Sequence, residues 1–239
     1  MTGSDTAVRA QPLRVGLVEA PSGGVLFVQR GADGKPVGVM VDLGGDLART
    51  LGRPLTFAVF PNSGAATDAT HAGSIDVTCV PVDELRKELV AFGPGYYALE
   101  STYLVSGASG ITDLAQVDRA GLRVVGIHGT TTIRASARTL TTTQPVAVRS
   151  VAEGIELMRT GQADAFALSR DSLEPFVAQV PGSRIVQGGF QQTLVAIAVQ
   201  KGQPELLAAV SSWLVSAKSS GLVRRIFDAH GQTTAAVAP

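Results

Sequence analysis

Arg86 is the residue whose type and neighbours best suit it to hold an anion. It follows Asp83, a natural helix cap, so it would fall in a first helical turn, where free backbone donors and the helix dipole favour negative charge. A guanidinium there could grip a carboxylate through two parallel hydrogen bonds. On spacing alone, a solvated arginine beside Lys87 is the better account, because arginine is seldom buried. A second group, His128-Gly129-Thr130-Thr131-Thr132, joins a strand pattern directly to a helical one. Its hydroxyls and backbone donors would converge at the carboxyl edge of a sheet, where open α/β sheets bind ligands. Ordinary capping by Thr130 or Thr131 accounts for the same residues equally well, and His128 alone is more often structural than catalytic. Ser169-Arg170-Asp171 closes a later strand in the same way and offers both signs of charge, with helix capping the simpler account of Asp171. Glu19, at the end of the first strand, reads by default as a solvated loop carboxylate.

Other chemistries find no support. Cys79 is the only cysteine, so an internal disulfide and a cysteine-rich zinc site are excluded, and its place in the apolar run Val77 to Val82 suits an inert buried thiol. His71, His128 and His230 lack metal-ligand spacing. Walker-type loops, a G-x-S-x-G elbow, H-E-x-x-H and C-x-x-C are absent, so no catalytic residue, metal or cofactor is assigned. Twenty Lys and Arg balance twenty Asp and Glu, which leaves no electrostatic footprint for nucleic acid.

The elements that must position these residues alternate between apolar runs and helical patterns, as in an α/β fold with a largely parallel sheet. The 239 residues, 45% of them hydrophobic, suffice for one large or two modest domains. Strands are expected at Leu13 to Val18, Gly24 to Gln29 and Pro36 to Val41, with Asp42 capping a helix that buries Leu43, Leu47 and Leu51. The strand Leu55 to Phe60 follows, then a helix started by Asn62 or Ser63, and the strand Ile75 to Val82. A second block reads strand Leu122 to Ile127, helix Thr130 to Leu140 and strand Val146 to Arg149. Ser150 and Glu153 then have the spacing at which each satisfies the other's backbone donor. Strand Ala163 to Leu168, a helix from about Asp171, strands Arg184 to Gln187 and Leu194 to Val199, and helices Pro204 to Ser219 and Leu222 to His230 complete the chain. No internal repeat is legible, and no run approaches the roughly eighteen apolar residues of a membrane-spanning helix.

Taken in order, the motifs resemble family three extracellular solute-binding proteins, the amino-acid-binding branch of the type II periplasmic-binding fold, over about Leu13 to Gly231. Gly34-Lys35-Pro36-Val37-Gly38-Val39-Met40-Val41-Asp42-Leu43 is similar to the family's GKPVGFDVDL. Gly73-Ser74-Ile75-Asp76, Arg86 and Phe92-Gly93-Pro94-Gly95-Tyr96-Tyr97 follow its GxxD…R…FSxPYY order, with Arg86 at the spacing of the ligand-binding arginine. Gly129-Thr130-Thr131, Gly161-Gln162-Ala163-Asp164-Ala165 and Ala196-Ile197-Ala198-Val199-Gln200-Lys201-Gly202 resemble its GTT, GxxDA and GIAVRKG.

The resemblance implies two mixed sheets flanked by helices and joined by a two-strand hinge. Lobe one would be residues 13–104 and 195–231, lobe two 105–194, with 1–12 and 232–239 as flexible termini. A small carboxylate, an amino acid or a related organic acid, would bind between the lobes. Arg86 would hold its carboxylate, and Glu19, Asn62, Thr78, Val80, His128, Thr130, Thr131, Ser169, Arg170 and Asp171 would complete the site. Departures bear on the ligand. The Asp76 to Arg86 interval is shorter than the family's, which could move the backbone of Thr78 to Pro81, and Ser22-Gly23-Gly24 stands where the family stacks an aromatic. The family's amino-group aspartate falls on Ser169 or, after a shift, Asp171. An ammonium group would need Asp171 or Glu19 in the cleft, whereas Arg170 would favour a second carboxylate. The implied role is delivery to an ABC-type transporter by a monomer in the periplasm. Met1 to Pro12 lacks a secretory apolar core, so a native start at Met1 would imply the cytoplasm. The alternatives on the same scaffold are a cyclohexadienyl-dehydratase-like enzyme, with Glu19 or Asp171 as acid, and a sensory ligand-binding module.

Overall fold

The chain builds one parallel βαβαβ unit, then a second of the same order. In the computed structural model, which describes residues 11–20 and 24–239, the first unit starts with β1 (Leu13–Glu19), whose Leu13, Val15, Leu17 and Val18 are buried. A short excursion through β2 (Phe27–Arg30) and β3 (Pro36–Val37) leads to α1 (Val39–Leu51), β4 (Leu55–Phe60), α2 (Ser63–His71) and β5 (Val77–Pro81). β1 pairs in parallel with both β4 and β5. The helix α3 (Glu84–Leu89) then leads into the long β6 (Val90–Val105). The second unit is β7 (Val124–Ile127), α4 (Thr131–Thr139), β8 (Val146–Val148), α5 (Val151–Arg159) and β9 (Ala165–Ser169), with β7 parallel to both β8 and β9. The sequence shows no repeat; the repeat is one of topology. After it come α6 (Arg170–Val177), β10 (Arg184–Ile185), β11 (Gln191–Gln200), α7 (Pro204–Ser219) and α8 (Leu222–Ala229).

Two strands join the units. β6 and β11 run antiparallel from Val90 and Gln200 to Ser101 and Gln191, with register shifts around Ala196. β11 continues onto β5 and β6 onto β9, both antiparallel, so hydrogen bonding is continuous through eleven strands among the described residues. This is the two-lobed architecture expected, its two sheets meeting edge to edge through the crossing strands.

A matching anchor holds the far end of each unit. The Asp76 carboxylate accepts from the Arg14 backbone N–H at 3.0 Å and its Nε at 3.2 Å, while the Asp76 N–H donates to Arg14 O at 2.8 Å. In the second unit Asp164 accepts from Arg123 N and Nε, both at 2.9 Å, and donates to Arg123 O at 2.8 Å. Each glycine that opens the GxxD run, Gly73 and Gly161, has positive φ and lets the helix end turn back toward the sheet. These two motifs are structural.

The structure departs from the sequence reading in several places. The run Pro36 to Val41 is mostly not strand, because Val39 and Met40 already face the core as the first turn of α1. Gly38 precedes that turn with φ 152°, and Asp42, one turn in, is no cap but pairs with His230 Nε2 at 2.8 Å. Ser150 does cap α5, whereas the Glu153 carboxylate reaches Arg149 N at 2.7 Å, one residue before the donor a reciprocal box would use. The tail from Gln232 is not frayed. Ala98 donates to Ala236 O at 3.1 Å, Ala238 donates to Tyr96 O at 3.0 Å, and Ala235 and Ala238 are buried, so the tail extends the edge of β6. Cys79 is buried and burial pushes its thiol up, as suits an inert core residue. Residues 1–10 and Pro21-Ser22-Gly23, on which the terminal and missing-aromatic expectations rest, lie outside the described residues.

Candidate ligand-binding site

The carboxyl ends of both parallel strand sets face each other across one seam, and the turns that leave those strands supply its polar groups. Leaving β5, the chain enters α3 through Asp83, whose Oδ1 accepts from Arg86 N at 2.9 Å. Arg86 is not solvated: it is 3% exposed. Its Nη1 donates to Pro81 O at 2.7 Å, and its Nη2 donates to Ser63 Oγ at 2.8 Å and to Gly129 O of the second unit at 3.0 Å. Three of the five guanidinium N–H groups are thus engaged, all by neutral oxygens. Burial pulls this guanidinium down to about 10, against the pull of Asp83, so it stays charged at neutral pH.

Leaving β7, the chain turns at Gly129 into α4. Thr130 caps that helix by accepting from Ile133 N and donates its own hydroxyl to Ile127 O at 2.8 Å. Thr131 is 1% exposed and its Oγ1 has no partner among the described residues, a polar atom left over at the start of a helix. Leaving β9, the chain enters α6 at Ser169, which gives its hydroxyl to Ser172 Oγ at 2.7 Å and does not cap. Asp171 is not the cap either. Its Oδ2 accepts from Val25 N, in the first unit, at 3.3 Å, and its buried Oδ1 has no hydrogen-bond partner among the described residues. The Tyr97 phenol of β6 stands beside it: burial first, and the Asp171 charge next, push that phenol far above its usual range.

Further contacts close the seam. Arg134 of α4 forms an ion pair with Asp83. Asn62 caps α2 by accepting from Ala65 N at 2.9 Å, and its Nδ2 reaches Arg149 O at 3.5 Å. Gly64 and Gly129 meet backbone to backbone, since a Cβ on Gly64 would lie 2.9 Å from Gly129 O.

The expected residues therefore separate into two groups. Arg86, Asn62, Thr130, Thr131, Ser169 and Asp171 are on turns at the seam. Glu19 is held by Arg30 through two hydrogen bonds, 3.1 and 3.3 Å, rather than standing as a free acid. Arg170 is spent on Glu100 and on the carbonyls of Val186 and Gly188, so it is not a free cation for a second carboxylate. Thr78 gives its hydroxyl to Gly16 O at 3.1 Å and Val80 is fully buried in the core, so both side chains serve the sheet. His128 is exposed, and its backbone N–H donates to Val148 O. Ser63, Tyr97 and Arg134 are seam residues that sequence reasoning missed. Ser63 directly follows the Asn62 cap and Tyr97 ends the aromatic motif, whereas nothing in the sequence links Arg134 to Asp83. Among the described residues no cluster of His, Cys, Asp or Glu could hold a metal.

Comparison with known proteins points the same way. The profile of the bacterial extracellular solute-binding proteins, family 3, matches residues 24–233. A mutant of arginine-bound ArgBP from T. maritima is 25% identical, with a TM-score of 0.77 over 89% of this chain and 98% of that one. An ancestral amino acid-binding protein, a precursor of cyclohexadienyl dehydratase, is 24% identical with a TM-score of 0.80 over 94% and 97%. The solute receptor for L-cysteine of Neisseria gonorrhoeae shares the fold at 21% identity, TM-score 0.84, over 95% and 92%. Comparison with curated proteins gives no match.

Proposed function

We propose that this chain, which belongs to the bacterial extracellular solute-binding proteins of family 3, captures a small α-amino acid between its lobes and delivers it, as a periplasmic monomer, to an ABC-type transporter. Lobe one is taken as residues 13–104 with 195–231, and lobe two as 105–194. The observation that carries this reading is Arg86. A nearly fully buried guanidinium reaches from one unit to the other, meets no carboxylate among the described residues, and keeps two N–H groups for one that arrives with a ligand. The unpartnered Thr131 hydroxyl stands at the same turn. Asp171 is the acid that would receive the ammonium group, since it crosses the seam to Val25 while Glu19 is held by Arg30.

Closure follows from differential affinity. A ligand that touches Arg86 on one side and the α4 turn on the other binds only the closed form at full strength, and so shifts the lobes toward it. Two measurements test the reading. Mass spectrometry of the molecule that copurifies is expected to find a free amino acid. Calorimetry with that molecule is expected to show binding to the native chain and none to Arg86→Ala; equal affinity in the two would remove Arg86 from the site.

A further inference from the structure

Resting on the amino-acid reading, we infer that the ligand is a small zwitterion with an uncharged side chain. Among the described residues the seam holds one cation and one anion without a charged partner, Arg86 and Asp171, and the other charged groups at its turns are paired within the protein. Asp83 is paired with Arg134, Glu100 with Arg170, Glu19 with Arg30 and Arg149 with Glu153. Arg170 is tied further by the carbonyls of Val186 and Gly188, so exchanging partners would break three contacts at once. Asp68 and Glu174, the remaining acids whose fields reach Arg86 and Tyr97, are exposed and screened by water.

One carboxylate and one ammonium therefore exhaust the charge complement. A guanidinium, a second ammonium or a second carboxylate on the ligand would enter the closed seam unpaired, which strongly opposes binding. The polar groups that remain beside these seats are neutral hydroxyls: Thr131 Oγ1, without a partner among the described residues, Ser101 Oγ and Thr132 Oγ1, which share a hydrogen bond at 3.4 Å, and the Tyr97 phenol beside Asp171. They suit an apolar or hydroxyl-bearing side chain.

The size limit comes from the glycines. Gly64 touches Gly129 beside Arg86, and Gly24 lies against α6, where a Cβ would stand 3.3 Å from both Asp171 Oδ2 and Ser172 Oγ. The units thus meet closely beside each of the two charged seats, backbone against backbone at Gly64 and Gly129 and backbone against the Asp171 and Ser172 side chains at Gly24, and a long or aromatic side chain would hold them apart.

Calorimetry on the full chain, stripped of bound solute by unfolding and refolding, tests this with L-alanine, L-serine, L-arginine, L-lysine, L-glutamate, L-tryptophan and, as the analogue without an amino group, L-lactate. L-alanine or L-serine is expected to bind tightest, with the three charged amino acids and L-tryptophan at least about 100-fold weaker. A charged amino acid within tenfold of the best neutral one overturns the uncharged side chain, and L-tryptophan within tenfold overturns the size limit. Either result leaves the amino-acid reading intact. Binding of L-lactate alone, or of nothing in the panel, overturns the amino-acid reading and this inference with it.

Discussion

In the first unit the chain leaves β5, turns at Asp83, and places Arg86 three residues on; in the second it leaves β9, turns at Ser169, and places Asp171 two residues on. The two turns follow equivalent strands of equivalent βαβαβ units, yet one delivers a buried cation and the other an acid that reaches across to the opposite unit. At the opposite strand ends the units agree in chemistry, an Asp clasping an Arg beside the start of the first strand. The framework end is thus duplicated and the ligand end is polarised. Parallel strands explain the division: all their carboxyl ends point one way, so turns there can vary without disturbing the anchors at the other end.

The largest expected effect breaks the polarised pair. Arg86→Met should weaken ligand binding at least about 100-fold, because it removes a buried charge-assisted contact, and Asp171→Asn should cost less, about tenfold, since Asp171 is only partly buried. Calorimetry that ranked Asp171 above Arg86 would reverse the roles assigned to the two turns.

The next comparison concerns the matched anchors, and the expected losses are of stability. Asp76 serves two arginines, Arg14 and the well-buried Arg53, whereas Asp164 serves only Arg123, which is 53% exposed. Asp76→Asn should therefore destabilise by about 2 kcal/mol and Asp164→Asn by about 1 kcal/mol in denaturant titrations. Both carboxyls sit below the usual range. For Asp76, burial opposes the shift and the Arg14 and Arg53 contacts overcome it; for Asp164 the Arg123 hydrogen bond leads. A depressed carboxylate contributes stability that is whole above its unfolded value, about 3.9, and is lost as pH falls through the folded value. The native chain should hence lose stability as pH falls below about 4, and the Asp76→Asn chain should lose less over the same fall.

A smaller effect separates folding from closure. Gly64 lies inside α2, where alanine favours the helix, but its Cβ would lie 2.9 Å from Gly129 O of the other unit. Gly64→Ala should leave thermal stability equal or slightly higher while lowering ligand affinity about tenfold. Unchanged affinity would mean that the two glycines need not meet in the bound state. The smallest expected effect is none: with its guanidinium at about 10, Arg86 keeps its charge across the neutral range, so its share of the affinity should be flat from about pH 6 to about pH 8.

Much of the framework was legible because it is local. Asn62, Asp83, Thr130 and Ser150 each cap the helix that follows them, through a side chain bonded to a backbone N–H three residues on. The start of α1 was misread because Val39 and Met40 continue an apolar run, and periodicity cannot separate a buried strand from a helix's first buried turn. The tail was misread because its pairing partner is β6, far away in the chain.

For the site, residue types and order sufficed to single out Arg86, the Gly129 to Thr132 turn and the segment Ser169 to Asp171. Which charges remain free was decided only by the fold. Glu19 and Arg170 look as available in the sequence as Arg86 and Asp171, but Arg30 and Glu100 meet them in space, and Arg134 reaches Asp83 from the other unit. Capping depends on neighbours along the chain, so the sequence determines it; charge pairing depends on which segments meet in space, and that is a property of the tertiary fold alone.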